Sequence, residues 1–200
     1  EKWLSRMKIE WQETTLKKRY IFKLLANFIS ALIGAILVAI VPKALGPIAY
    51  GQFIYLQEFF IKVIGFLDMG SSIAFFTKLS AKQSRKELIS FYFLFCLLIF
   101  VLLFLFILLG YYFEFLSVFV PDIPIFYIFL GLFFGFFTWF TQVYTKIADA
   151  YALTVSYEII KIFHKIITLF LLLFFIYYLS FNLDLYFYFN YISLVSFLLV

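Results

Sequence analysis

The longest stretch without a charged side chain limits this chain more than any other feature of its sequence. Between Glu87 and Glu114 stand 26 residues, none of them Asp, Glu, Lys or Arg. A helix needs about 20 apolar residues to cross the hydrocarbon core of a bilayer. The whole chain is 66% hydrophobic, whereas soluble domains contain about 45–50% apolar residues. A soluble core cannot bury this much apolar surface, so the sequence predicts an integral membrane protein.

Shorter uncharged runs predict further spans. They lie between Lys23 and Lys43, between Asp122 and Lys146, and between Lys165 and Asp184, with an apolar tail after that. One more span is interrupted by three charges. We therefore expect an all-α, six-transmembrane-helix lobe. The approximate spans are 22–42, 48–79, 88–113, 122–145, 155–181 and 184–200, the last one truncated.

The chain is predicted to divide into a surface segment and the lobe. Residues 1–20 have the pattern of an amphipathic, basic helix lying on the cytoplasmic membrane surface, and residues 21–200 form the lobe. The chain begins with Glu1 and ends inside an apolar run, so we expect it to be a piece of a longer protein.

The basic residues predict the orientation. Six alternating spans place fourteen of the sixteen Lys and Arg residues on one side, which the positive-inside rule identifies as cytoplasmic. The N terminus is then expected to be cytoplasmic, and the chain to be a multi-pass membrane protein. Basic residues at the ends of apolar runs set membrane topology, so no nucleic-acid partner is expected. One Cys and one His cannot form a zinc site, and no metal or cofactor is expected.

Helix-breaking residues predict the turns. Pro42, Gly46 and Pro47 mark an extracytoplasmic hairpin, and the first helix is expected to end near Val41, because the residue before a proline avoids the helical conformation. Pro121 and Pro124 mark the next outer turn, and the spans themselves are expected to be free of proline. Gly131 and Gly135 form a small-xxx-small pair that predicts close approach of two helices.

Three stretches resemble bacterial polysaccharide flippases of the multidrug/oligosaccharidyl-lipid/polysaccharide superfamily. The first, "LGPIAYGQF", has a Leu, a Pro, a Tyr-Gly pair and an aromatic residue in the order of that family, although Ile48 stands where the family often has an acid. The others are "GFLDMGSSIAFFTKLS" and "QVYTKIADAYALTVSYEIIKIFHK". The resemblance covers most of residues 24–200. It implies a fold of twelve or more helices in the bacterial inner membrane, built from two six-helix lobes that face each other across a cavity, with this chain as the first lobe.

The resemblance also implies a function. A family member flips polyprenyl-pyrophosphate-linked oligosaccharide from the cytoplasmic to the periplasmic leaflet for O-antigen or capsule synthesis, and it is not an enzyme. Its partners would be the lipid-linked oligosaccharide, membrane lipid and, among proteins, polysaccharide polymerase or chain-length factors. Two alternatives remain: a cation-coupled drug antiporter of the same superfamily, and a membrane-bound polysaccharide-modifying enzyme, either an acyltransferase or a polymerase.

Charges inside the second predicted span are candidates for the transport path. Glu58 and Lys62 are four residues apart and can pair on one helix face, and Asp68 follows six residues later. Charged groups at membrane depth are costly and usually face protein or water. Lys62 is therefore a candidate to bind the pyrophosphate, with Glu58 and Asp68 as polar or coupling groups. The alternative is a self-neutralising structural pair.

The start of the fifth span carries the second set of candidates. Lys161 and Lys165 share a face and are predicted to bind the anionic headgroup, while Glu158 and His164 are polar or coupling candidates. The alternative is that these lysines only anchor the helix at the cytoplasmic interface. No catalytic residue is predicted.

Overall fold

The computed structural model describes residues 16–81 and 86–199, and the part of the chain that it describes is helical throughout, apart from turns. The predicted surface segment 1–20 lies outside these residues except for its last five positions, which begin the first helix. The helices are α1 (Leu16–Leu45), α2 (Pro47–Asp68), α3 (Ser71–Ala81), α4 (Lys86–Tyr112), α5 (Leu116–Phe119), α6 (Ile125–Ala150), α7 (Thr154–Tyr178) and α8 (Leu183–Leu199).

Four helices are long and apolar enough to cross a membrane, namely α1, α4, α6 and α7. The bent pair α2 and α3 makes a fifth if it counts as one span. The prediction of an all-α, multi-pass membrane protein is therefore supported. The truncated sixth span expected over 184–200 coincides with α8, but α8 has 17 residues, fewer than the roughly 20 that a bilayer core requires, so the lobe of six spanning helices is not confirmed.

The turn between α1 and α2 is shorter than the sequence predicted. Helix α1 continues through Pro42 to Leu45, so the prediction of an end near Val41 was wrong. Pro42 stands in the last turn, and its carbonyl oxygen accepts a 3.0 Å hydrogen bond from the Gly46 N–H. Gly46, with φ of 81°, is the one residue between the helices. Pro47 then begins α2, at a position where the missing N–H removes no helical bond.

The second predicted span is broken. Met69 (φ 43°) and Gly70 (φ 79°) are both left-handed, and α2 and α3 meet at a bend of 58°. Asp68 stabilises the break, because its carboxylate accepts hydrogen bonds from the backbone N–H of Ser72, at 3.0 Å, and from the Ser72 hydroxyl, at 2.6 Å. The side chain thus caps α3, which a continuous helix over 48–79 did not require.

Helices α2 and α6 pack against each other at very short range. A Cβ atom added at Gly131 would lie 2.8 Å from the Leu56 Cβ, and one added at Gly135 would lie 2.6 Å from the Phe60 Cβ. Leu56 and Phe60 are fully buried at this contact. The prediction of a close helix approach from the two glycines is confirmed.

The bundle contains two extensive helix pairs. One is α2 with α6, and the other is α1 with α7. Helix α8 contacts both α6 and α7, and the hydroxyl of Tyr191 donates a hydrogen bond to the Leu130 carbonyl of α6. The two pairs leave a space between them, which is lined by α1, α6, α7 and α8.

Candidate substrate cavity

A cavity of about 460 Å³ occupies the space between the two helix pairs. Its wall combines hydroxyl, amide and cationic side chains with aliphatic and aromatic ones. The polar lining residues are Ser30 from α1; Thr138, Thr141, Gln142 and Thr145 from α6; Tyr157, Lys161, His164, Lys165 and Thr168 from α7; and Asn190 and Ser193 from α8. So many polar groups inside an apolar bundle distinguish this cavity from a packing defect, which is normally apolar.

Threonines form the α6 wall. Thr138, Thr141 and Thr145 are three and four residues apart, so they lie on one helix face. Thr141 donates to the Thr138 carbonyl at 2.7 Å and Thr145 to the Thr141 carbonyl at 2.8 Å. These bonds satisfy the hydroxyl protons of Thr141 and Thr145 within the helix. The Thr145 oxygen also lies 2.6 Å from the Tyr157 hydroxyl, whereas the lone pairs of the Thr141 oxygen remain available to a ligand that donates hydrogen bonds.

Two hydroxyl oxygens of the cavity lining are buried without a hydrogen-bond partner in the described part of the chain. They are Ser30 Oγ on α1 and Thr138 Oγ1 on α6. A buried hydroxyl without a hydrogen bond costs about 1–3 kcal/mol. A hydroxyl-bearing ligand between α1 and α6 would remove that cost.

An ion pair supports the α7 wall. Lys161 Nζ lies 3.1 Å from Glu158 Oε2, with the Lys161 side chain 24% exposed and that of Glu158 only 1% exposed. Glu158 lies behind Lys161 and does not itself line the cavity. A charge buried this far needs a partner, so Glu158 keeps Lys161 in place. Its other oxygen, Oε1, has no hydrogen-bond partner among the residues described.

His164 and Lys165 complete the α7 wall. His164 Nε2 lies 2.8 Å from the Ser196 hydroxyl of α8, and its ring centroid is 5.2 Å from that of Phe197. Lys165 also lines the cavity. The predicted group on the fifth span is thus brought together: Lys161, Lys165 and His164 on the wall, and Glu158 directly behind it.

The candidates on the second span lie elsewhere. Glu58 and Lys62 stand on an outer face of α2, with side chains 52% and 78% exposed and 3.9 Å between Oε2 and Nζ. Neither lines the cavity. Asp68 is buried at the break between α2 and α3, where it also accepts a bond from the Tyr92 hydroxyl at 3.1 Å. Its contacts are those of a helix cap and a packing anchor.

Sequence reasoning missed the neutral part of the cavity. The α6 threonines, Asn190 and Ser193 were not singled out, although a signal existed in the helical spacing of Thr138, Thr141 and Thr145. Aromatic and apolar residues stand between these threonines in the sequence and make the spacing hard to recognise. For Asn190 and Ser193 we find no comparable signal.

No family model, no curated protein and no solved structure matches this chain. Residues 16–81 and 86–199 contain no group of three or more His, Cys, Asp or Glu side chains placed to hold a metal ion. The arrangement has two chemical capacities: it can attract an anion to Lys161 and Lys165, and it can exchange hydrogen bonds with hydroxyl groups.

Proposed function

We propose that this chain is part of a transporter that flips polyprenyl-pyrophosphate-linked oligosaccharide across the bacterial inner membrane, for O-antigen or capsule synthesis. The observation that carries the proposal is the cationic, hydroxyl-lined cavity inside an apolar helical bundle. A sugar phosphate offers hydroxyls and negative charge, the two properties that this wall complements. The resemblance of "LGPIAYGQF" to polysaccharide flippases supports the same substrate class.

The size of the cavity limits what it holds. Binding sites for small molecules have volumes of about 300–1,000 Å³, and 460 Å³ lies within that range. The space suits a headgroup-sized part of the substrate, with the polyprenyl chain remaining in lipid. Transport makes and breaks no bond, so the role of Lys161 and Lys165 is to offset negative charge while the headgroup is away from water.

A cation-coupled antiporter of the same superfamily is the second candidate. One observation favours it: Glu158 is buried and has one oxygen without a partner among the described residues. A coupled cation would be drawn to this carboxylate. The two lysines on the same wall oppose a cationic drug, and for that reason we rank the antiporter second. The polysaccharide-modifying enzyme ranks third, because His164 contacts a serine hydroxyl rather than an acidic side chain.

The test is export of polysaccharide by the encoded protein, in a bacterium whose own flippase has been deleted. We expect Lys165→Ala and Lys161→Ala each to lower surface polysaccharide about tenfold or more, because each removes a charge-assisted contact with the headgroup. Lys43→Ala, a change of equal charge at the far end of α1, is the matched control and should leave export unchanged. Normal export by both cavity variants, at equal amounts in the membrane, would refute the proposal.

A further inference from the structure

A second recess lies beside the cavity, at the end of the bundle where α1 begins and α6 ends. It has a volume of about 520 Å³. Its charged walls are Lys23 of α1, Lys146 and Asp149 of α6, and Lys161 of α7, and Ile73 and Phe76 of α3 form an apolar wall. We call it the basic groove. Three of its lining residues, Gln142, Thr145 and Lys161, also line the cavity, so the two spaces adjoin.

Three ammonium groups and one carboxylate line the basic groove. Lys23 Nζ lies 2.6 Å from Asp149 Oδ2, while the other oxygen of Asp149 accepts a 2.9 Å bond from the Thr154 hydroxyl. Lys161 has its own partner in Glu158. Lys146 differs, because its ammonium has no direct ion pair with a carboxylate among the described residues: it donates at 2.5 Å to the Ser72 hydroxyl, which in turn donates to the Asp68 carboxylate at 2.6 Å. Lys146 is therefore the ammonium best placed to receive an anion.

The position of the basic groove suggests the kind of anion. Its lysines stand within the first turns of α1 and α7 and the last turns of α6, and not in the apolar middle of the helices. Lysine side chains near the ends of membrane-spanning helices reach the headgroup level of a bilayer. Ile73 is 63% exposed, and it provides apolar surface beside the ammonium groups. A lipid has a phosphate that can contact the ammonium groups and acyl chains that can contact the apolar wall. A free phosphate ion could contact only the ammonium groups.

We propose that the basic groove binds the phosphate of an anionic lipid headgroup, with Lys146 as the principal contact and Lys23 and Lys161 as flanking cations. Basic pockets between helices at the cytoplasmic side are a known setting for such headgroups. The acyl chains pass over Ile73 and Phe76. This site goes beyond the proposed function, because it requires no transport and uses Lys23 and Lys146, which are absent from the cavity wall.

The test measures lipid retention by the purified protein in phosphatidylcholine nanodiscs that contain a minor fraction of phosphatidylglycerol. Native mass spectrometry counts the phosphatidylglycerol molecules that stay bound. We expect preferential retention of phosphatidylglycerol, reduced about tenfold by Lys146→Ala and kept by Lys146→Arg. Asp149→Asn should increase retention, because it removes the negative charge that competes for Lys23. Lys62→Ala removes an equal charge from an exposed face of α2 and should change nothing.

Three results would overturn the inference. They are equal retention of phosphatidylglycerol and phosphatidylcholine by the wild type, wild-type retention by Lys146→Ala, and complete displacement of the lipid by inorganic phosphate. Thermal stability in phosphatidylcholine alone shows whether each variant is folded. If Lys146→Ala does not fold, Lys146→Arg and Asp149→Asn still test the site, because they should keep and increase retention, respectively. Lys165→Ala separates the two proposals: it should lower export while leaving phosphatidylglycerol retention unchanged.

Discussion

Replacement of Gly135 by alanine should loosen the contact between α2 and α6. The added Cβ would lie 2.6 Å from Phe60 Cβ, 3.5 Å from the Phe60 carbonyl carbon and 3.6 Å from the Ile61 nitrogen. Carbon atoms in contact are normally about 3.5–4.0 Å apart. The shortest contact is with a Cβ, whose position is fixed by the backbone, so no rotamer change of Phe60 relieves it. The two helices must separate locally by about 1 Å.

The cost follows from overpacking, which typically destabilises a well-packed core by about 1–3 kcal/mol. Alanine also has a helix propensity better than that of glycine by up to about 1 kcal/mol, and this gain must be subtracted. Gly51→Ala measures this propensity gain without overpacking, because Gly51 lies on α2 with no atom within 4 Å of an added Cβ. The free energies of unfolding of the two variants should therefore differ by about 1–3 kcal/mol, with Gly135→Ala the less stable.

Thermal unfolding in detergent measures this difference, with the folded fraction read from the monodisperse peak in size-exclusion chromatography after heating. At about 2–4 °C per kcal/mol for a chain of this length, the Tm of Gly135→Ala should lie roughly 2–12 °C below that of Gly51→Ala. Adding Phe60→Leu should not restore it, since leucine keeps the Cβ. Equal Tm values for the two alanine variants, or full rescue by leucine, would refute the close approach.

Three further experiments test the fold and the orientation. Asp68→Ala removes the cap at the α2/α3 break and should cost about 1.5–3 kcal/mol, the range for hydrogen bonds to a charged group; a Tm equal to that of the wild type would contradict the capping role. Tyr191→Phe removes the hydrogen bond to the Leu130 carbonyl and should lower the free energy of unfolding by about 0.5–1.5 kcal/mol, measured in the same way. A Tm equal to that of the wild type would contradict the packing of α8 on α6. In a chain whose native cysteine is replaced by alanine, Asp122→Cys should react with an impermeant maleimide in intact cells and Lys78→Cys only after permeabilisation; the opposite pattern would reverse the proposed orientation.

The sequence was most informative where a single physical requirement sets the structure. Long uncharged runs locate helices because the hydrocarbon core excludes charge, and Gly131 and Gly135 identify the close contact because only glycine leaves room for it. Pro42 misled because the residue before a proline only prefers to leave the helical conformation: α1 continues through Pro42, although proline cannot donate the bond to residue i−4, and the Pro42 carbonyl accepts from the Gly46 N–H. The break at Met69 and Gly70 was missed because it depends on Asp68 turning back to cap α3, which hydropathy does not report.

The candidate site was partly predictable for a similar reason. Lys161, Lys165 and His164 could be grouped because one helix carries them, so spacing alone brings them together. The cavity also needs Ser30, Asn190 and the α6 threonines, which come from three other helices. Which faces of separate helices meet is decided by packing, and one sequence contains no direct record of it. The same limit applies to Lys62. Sequence spacing could not show that its face of α2 points away from the cavity wall that contains Lys161.

The single residue between α1 and α2 has a mechanical consequence. Gly46 gives the two helices almost no slack, so the end of α1 cannot move away from the start of α2. Because α1 packs on α7 and α2 packs on α6, Gly46 joins the two halves of the cavity wall at one end. At the opposite end of the bundle, residues 151–153 join α6 to α7, and the Lys23–Asp149 ion pair joins α1 to the end of α6. The two halves are therefore tied at both ends, which restricts any widening of the cavity between them.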